Sequence, residues 1–192
     1  MKYNFRSKIK KLRGARVRDY DRFSMWYFIS IANIITLAEI GVSFGSVALI
    51  FDNRLWEAVV LMLIAAFLDW NDGRISRKRG TSGDFGKNLD SLADLFSFGV
   101  VPAFLSWKLI GTNPLGLVLP ALLIMGGALR LARYNITATQ GYIGMPITFN
   151  GLIFPAVFAV YSFFSLPEYV FAIACGISLA LMVANFRVKK LV

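Results

Sequence analysis

A run of 21 apolar residues, Ile31 to Phe51, broken only by Glu39, limits most strongly what this chain can fold into. At about 1.5 Å of rise per residue, a helix of this length covers about 30 Å, the thickness of a bilayer's hydrocarbon core. The chain has 192 residues and is 57% hydrophobic, which is too apolar for an ordinary soluble domain. We therefore expect a helical membrane protein.

Five further apolar segments follow, at 55–68, 89–110, 114–131, 147–165 and 169–186. The first of these is too short to cross a membrane alone, so we predict that its helix continues through Asp69 into the basic stretch ending near Arg79. The predicted fold class is an all-α integral membrane protein with six transmembrane helices in one bundle. Residues 1–28 are predicted to form a basic juxtamembrane arm, and residues 29–192 the transmembrane domain.

The basic residues predict the orientation, because Lys and Arg are enriched in cytoplasmic loops. With six spans, all Lys and Arg except Arg54 and Lys108 fall on the side that holds both termini. Both termini are therefore expected in the cytoplasm, and the protein in the cell membrane. The arm is expected to lie on anionic lipid headgroups rather than on nucleic acid, with no secretory signal before the first span. The one cysteine, Cys175, falls in an apolar span and is expected to pack there.

Four aspartates are spaced so that they share helix faces. Asp69 and Asp72 are three residues apart, and Asp90 and Asp94 are four apart, so each pair lies on one face of its helix. A turn at residues 80–83 would make the two helices antiparallel neighbours. Bringing their faces together makes four carboxylates converge, which is costly at membrane depth unless cations lie between them. The chain has no histidine, so oxygen ligation of Mg²⁺ or Mn²⁺ is favoured, and two such ions form a clamp suited to displacement at phosphorus.

Other interpretations of the acidic residues stay open. Each aspartate could cap a helix or pair with a nearby cation, and Asp84, after a Thr-Ser-Gly turn, is predicted to cap the third helix. Glu39 lies inside a span and is a candidate functional residue; alternatively, Thr36 and Ser43 satisfy a protonated carboxyl. A small cation channel or transporter would also carry aspartates in its membrane helices.

The stretch from Asp69 to Asp94 reads D-x-x-D-G-x-x-S-R, eight residues, then G-x-x-x-D-x-x-x-D. This pattern resembles the signature of the CDP-alcohol phosphotransferases, departing from it at Ser76, where that family shows alanine. The resemblance implies a six-helix fold, usually a homodimer, with a cytoplasm-facing cavity for a CDP-linked lipid and two divalent metal ions. It also implies that Asp69, Asp72, Asp90 and Asp94 bind the metals and that Asp94 is the general base. Gly73, Ser76, Arg77 and Gly86, together with Asp69, would border the CDP.

Three other stretches, GTSGDFGKNLDSLADLFSFGVVPA, GALRLARYN and GYIGMP, resemble those of the membrane-embedded phosphatidylserine synthases. This resemblance implies transfer of a phosphatidyl group from CDP-diacylglycerol to the hydroxyl of L-serine, with release of CMP. Arg130 and Arg133, at the cytoplasmic end of the fourth helix, are candidates for binding the serine carboxylate; alternatively, they anchor that helix end at the lipid headgroups. The alternatives within the same chemistry are inositol phosphate or glycerol phosphate as acceptor and CDP-archaeol as lipid.

Overall fold

The computed structural model describes residues 30–79, 84–137, 142–185 and 187–188. The helices are α1 (Ile31–Phe51), α2 (Leu55–Arg79), α3 (Asp84–Leu95), α4 (Val101–Ile110), α5 (Pro114–Thr137), α6 (Asn150–Phe164) and α7 (Tyr169–Val183). A π-helical turn, Phe96–Val100, joins α3 to α4 in one rod, and a 3-10 turn, Ile147–Phe149, leads into α6. Two short strands, β1 (Tyr142–Ile143) and β2 (Arg187–Val188), pair antiparallel.

The helix boundaries agree well with the apolar pattern. The first helix covers Ile31–Phe51 as predicted, and α2 continues through Asp69 to Arg79. The third rod begins at Asp84, the position predicted for its cap, five residues before its apolar segment, and α5 runs to Thr137, because polar residues extend both helices beyond their apolar parts. The short strand pair was not predicted, since two residues show no periodicity. The basic arm and the turn at 80–83 lie outside the described residues.

Four segments among the described residues are long and apolar enough to cross a membrane: Ile31–Phe51, Phe85–Ile110, Pro114–Ile136 and Ile147–Phe164. Helix α7 is apolar but has only 15 residues. Large apolar side chains such as Phe44, Leu129 and Phe163 are exposed on the outside, where a bilayer would cover them. The prediction of a helical membrane fold is confirmed, and the number of helices that span the bilayer remains a prediction.

The interior of the bundle is held by small polar side chains as well as by apolar packing. Ser43 Oγ donates to Ser97 Oγ over 2.8 Å, and Ser46 Oγ donates to the Ala58 carbonyl over 2.8 Å. Such hydrogen bonds between helices are typical of membrane bundles. Cys175 is buried with its thiol free, in agreement with its predicted packing role.

The π-helical turn has a local cause in the sequence. Pro102 has no backbone N–H, so it cannot donate to the carbonyl four residues earlier, that of Phe98. The Asn150 side-chain amide donates to this carbonyl over 3.0 Å instead, and both residues are buried. The turn therefore ties the third rod to the start of α6, immediately beyond the acidic part of α3.

Helix α1 organises the acidic end of the bundle. It packs along α2 and also against α3, whereas α2 and α3 scarcely touch each other within the described residues. This differs from the expectation that α2 and α3 are packed neighbours. The side chains of these two helices therefore meet across a gap that α1 closes from one side.

Candidate active site

Three of the four predicted aspartates converge where α2 and α3 face each other. Asp69, Asp72 and Asp90 each offer a carboxylate oxygen, and these oxygens lie within 4.8 Å of one another. Asp72 is only 3% exposed. Carboxylates this close repel one another unless a cation lies between them. Because the donors are all oxygen atoms, the group fits Mg²⁺ or Mn²⁺.

The first helix fixes the most buried of these carboxylates. The Thr36 hydroxyl lies 2.7 Å from Asp72 Oδ2 and 3.1 Å from the Ala32 carbonyl, so its single proton is shared between these acceptors. Thr36 is itself buried. A group that holds a metal ligand in place in this way commonly tunes metal affinity. The sequence analysis did not assign Thr36 to Asp72, because spacing along one helix says nothing about contacts to another.

Asp94 lies one turn further along α3 and is not one of the three closest carboxylates. Its Oδ1 atom is inaccessible to solvent and has no hydrogen-bond partner among the described residues. Asp94 interacts electrostatically with Asp69, Asp90 and Arg130. Convergence is therefore confirmed for three aspartates with Asp94 close by, and the roles of Asp94 as metal ligand and base stay predictions.

The residues predicted to border CDP are only partly described. A Cβ added at Gly86 would lie 3.3 Å from Asn33 Oδ1, so this glycine lets α3 approach α1 closely. Gly73 is half-buried on α2, one turn beyond Asp69. The side chains of Ser76 and Arg77 lie outside the described residues, as does that of Asp84 with its predicted capping role. The CDP contacts therefore remain predictions.

A polar network ties the end of α5 to α3. Lys87 Nζ donates to the Asn135 carbonyl over 3.0 Å and lies 5.7 Å from the centre of the Tyr134 ring. The Asn135 side-chain amide donates to Ser91 Oγ over 3.1 Å. Ser91 directly follows Asp90, so this network positions the acidic face of α3. Sequence reasoning missed it, although the polar end of the apolar α5 segment was a visible signal.

The two arginines of α5 have different surroundings. Arg130 is 6% exposed and interacts electrostatically with Asp94. Arg133 donates from Nη1 to Asn185 Oδ1 over 3.0 Å and from Nη2 to the Met182 carbonyl over 3.1 Å, which links α5 to the end of α7. Arg130 therefore lies beside the acidic group, while Arg133 has a structural role at a helix end. Their role in binding serine stays a prediction.

Glu39 is completely buried on α1, and neither of its carboxylate oxygens has a hydrogen-bond partner among the described residues. The Ser97 side chain lies close enough to influence the carboxyl, although no hydrogen bond of standard geometry joins them. The alternative that Thr36 and Ser43 satisfy Glu39 is wrong, since their hydroxyls donate elsewhere. The negative charges of Asp69, Asp72 and Asp90 would repel a charge on Glu39 and do not satisfy its carboxyl.

A helical membrane bundle whose converging carboxylates could hold a divalent cation is an arrangement typical of metal-dependent membrane enzymes. The family model for CDP-alcohol phosphatidyltransferases matches residues 29–187, which is most of the chain, and the chain belongs to this family. Family membership confirms the resemblance drawn from the aspartate signature. It also identifies the chain as an integral membrane transferase.

Several known proteins are similar to this chain in sequence. The chain is 36% identical over 131 residues to a CDP-diacylglycerol–serine O-phosphatidyltransferase of Methanocaldococcus jannaschii, covering 68% of this chain and 61% of that protein. It is 34% identical over 125 residues to an archaetidylserine synthase of Methanothermobacter thermautotrophicus, covering 62% of this chain and 54% of the relative. It is also 34% identical over 139 residues to a CDP-diacylglycerol–serine O-phosphatidyltransferase of Bacillus subtilis, covering 70% of this chain and 76% of that protein. The chain thus spans less than two thirds of the length of the first two relatives.

Proposed function

We propose that this protein transfers a phosphatidyl group from CDP-diacylglycerol, or the corresponding group from CDP-archaeol, to the hydroxyl of L-serine, releasing CMP. The observation that carries the proposal is the convergence of Asp69, Asp72 and Asp90 oxygens within 4.8 Å where α2 and α3 face each other. The names of the relatives, a phosphatidyltransferase and an archaetidylserine synthase that both use serine, support serine as the acceptor.

The reaction is a single displacement at the lipid-side phosphorus of the CDP-lipid. The serine hydroxyl oxygen forms the new P–O bond, the bond to the CMP oxygen breaks, and the hydroxyl proton passes to Asp94. Divalent ions held by Asp69, Asp72 and Asp90 would neutralise charge on the phosphate oxygens. The buried Oδ1 atom of Asp94, which has no partner among the described residues, is suited to accepting a proton. Gly73, Ser76, Arg77 and Gly86 are proposed to border the nucleotide.

An apolar groove beside the acidic group suits the tails of the lipid substrate. It lies between α2 and α6, has a volume of about 360 Å³, and includes Asp69, Trp70, Phe67, Phe149 and Leu152 in its lining. The groove therefore combines one proposed cation ligand, Asp69, with a mostly apolar lining. A CDP-lipid laid along it would place its pyrophosphate at the carboxylates and its tails towards the bilayer.

Arg130 and Arg133 are proposed to bind the serine carboxylate, and Arg130 is the better placed of the two. Arg130 is buried and interacts electrostatically with Asp94, so a carboxylate bound by Arg130 would bring the serine hydroxyl towards the proposed base. Arg133 already donates to Asn185 and Met182, which leaves less of its guanidinium for a substrate. The pairing of guanidinium and carboxylate is favoured by charge and by geometry.

The proposal includes the finer features predicted from the sequence. These are six spans, both termini in the cytoplasm, an active site that faces the cytoplasm, two metal ions, and a homodimer in the cell membrane. The basic arm at 1–28 and the transmembrane domain at 29–192 belong to the same proposal. The channel alternative finds no support, because the carboxylates gather in one group and the chain belongs to a transferase family.

The test is an acceptor panel with the purified protein, CDP-diacylglycerol and Mn²⁺. CMP release is measured with L-serine, inositol phosphate, glycerol phosphate and no acceptor. Release that depends on serine is the expected result. Release that depends on a phosphorylated acceptor instead would keep the metal site and the CDP-lipid but overturn serine as the acceptor.

A further inference from the structure

The buried carboxyl of Glu39 is unexplained by the transfer mechanism. It is fully buried in a membrane span, and its two oxygens have no hydrogen-bond partner among the described residues. A charged group in this position is costly unless a partner of opposite charge accompanies it. The hydroxyls nearest to it along α1 are engaged elsewhere, Thr36 with Asp72 and Ser43 with Ser97.

The position of Glu39 on α1 brings it near the residues proposed to bind and activate the acceptor. Glu39 lies one turn of α1 beyond Thr36, which holds the metal-ligating Asp72, and one turn before Ser43, which binds Ser97. Ser97 lies in the π-helical turn that follows α3, three residues beyond Asp94 and therefore on nearly the same face of the rod. Glu39 interacts electrostatically with Asp94, which in turn interacts with Arg130. Glu39 and Arg130 therefore both lie within electrostatic range of the proposed base, Asp94.

We propose that Glu39 binds the α-ammonium group of the amino-alcohol acceptor, an inference that rests on the proposed function. L-serine carries a carboxylate, a hydroxyl and an ammonium group on a three-carbon frame. Arg130 suits the carboxylate, Asp94 takes the proton of the hydroxyl, and Glu39 supplies an acceptor of opposite charge for the ammonium. The ammonium group has three N–H donors, and the two Glu39 oxygens can accept up to two of them.

Glu39 would then also decide which acceptors are rejected. Inositol phosphate and glycerol phosphate carry negative charge and no cation, so a buried carboxylate beside the acceptor repels them. A site that buries a charged group for one ligand discriminates strongly against ligands that leave this group unpaired. Glu39 is therefore an acceptor-binding residue that contributes specificity and takes no proton in the reaction.

The test removes the carboxylate charge of Glu39 from the protein and, separately, the ammonium charge from the acceptor. Wild-type protein and Glu39→Gln are compared with L-serine and with 3-hydroxypropionate, which has the hydroxyl and carboxylate but no ammonium. In the wild type, kcat/KM should favour serine by at least about 30-fold, the effect of leaving a buried charge unpaired. In Glu39→Gln this preference should fall to a few-fold, mainly through a higher KM for serine, while the KM for CDP-diacylglycerol stays within about twofold.

Two controls make the result specific. Ser43→Ala removes a neighbouring buried hydroxyl without changing charge, and it should keep the wild-type preference for serine. Glu39→Asp keeps the charge, and its preference for serine should exceed that of Glu39→Gln. A rise in the melting temperature of Glu39→Gln with CMP and Mn²⁺ shows that this variant is folded; without that rise, Glu39→Asp is compared with the wild type in its place. An unchanged preference in a folded Glu39→Gln protein overturns the inference and leaves the proposed function standing. A wild type that uses only phosphorylated acceptors overturns both.

Discussion

Replacing Thr36 with valine should weaken cation binding although every carboxylate stays in place. The Thr36 hydroxyl lies 2.7 Å from Asp72 Oδ2, and both residues are buried at 4% and 3% exposure. A hydrogen bond to a charged group contributes about 1.5–3 kcal/mol, and each 1.4 kcal/mol is a factor of about ten. Valine preserves the shape but cannot hold the carboxylate in its orientation. The Mn²⁺ concentration for half-maximal activity should therefore rise about 10- to 100-fold.

The assay is a Mn²⁺ titration followed in two ways, by CMP release and by the Mn²⁺-dependent rise in melting temperature in the presence of CMP. Ser46→Ala is the matched control, because Ser46 is a buried hydroxyl on the same helix that donates to the Ala58 carbonyl over 2.8 Å. It should lower stability by about 1 kcal/mol without changing the Mn²⁺ dependence. A Thr36→Val protein with wild-type Mn²⁺ dependence would refute the reasoning, and so would an equal shift in Ser46→Ala.

Three further changes probe other parts of the site. Asp94→Asn should lower turnover by at least about 100-fold, and turnover within tenfold of wild type would show that Asp94 is not the base. Arg130→Gln should raise the KM for serine about tenfold or more and leave the KM for the CDP-lipid unchanged. Arg133→Gln should raise the KM for serine by less. Equal increases in KM for both substrates would contradict carboxylate binding by these arginines. Gly151→Ala should lower stability by about 1–3 kcal/mol, since its Cβ would lie 2.7 Å from the Phe98 ring, and an unchanged melting temperature would count against this packing.

Much of the fold could be predicted because the chain separates apolar from polar stretches sharply. The first helix was predicted to the residue, and the shortness of the apolar segment at 55–68 led to the correct extension of α2 through Asp69. The π-helical turn was not predicted, although its cause, the missing N–H of Pro102, is visible in the sequence. A proline near a helix start is usually harmless, and only the structure shows that the Asn150 side chain donates to the Phe98 carbonyl in place of the missing N–H.

The acidic centre could be predicted in part for a similar reason. Spacing along a helix determines which aspartates share a face, so the convergence of Asp69, Asp72 and Asp90 followed from the sequence. Contacts between helices do not follow from spacing. The bond from Thr36 to Asp72 and the approach of Asn135 to α3 became visible only in the structure, and Glu39 was given partners that the structure assigns elsewhere.

The most direct test of the account is the transfer of radiolabelled L-serine into lipid. Purified protein is incubated with CDP-diacylglycerol and Mn²⁺, and label in the lipid phase is compared with CMP released, with and without EDTA. The account predicts one labelled lipid for each CMP and loss of both products with EDTA. CMP release without label in the lipid, or labelled lipid formed equally well with EDTA present, would contradict metal-dependent transfer to serine.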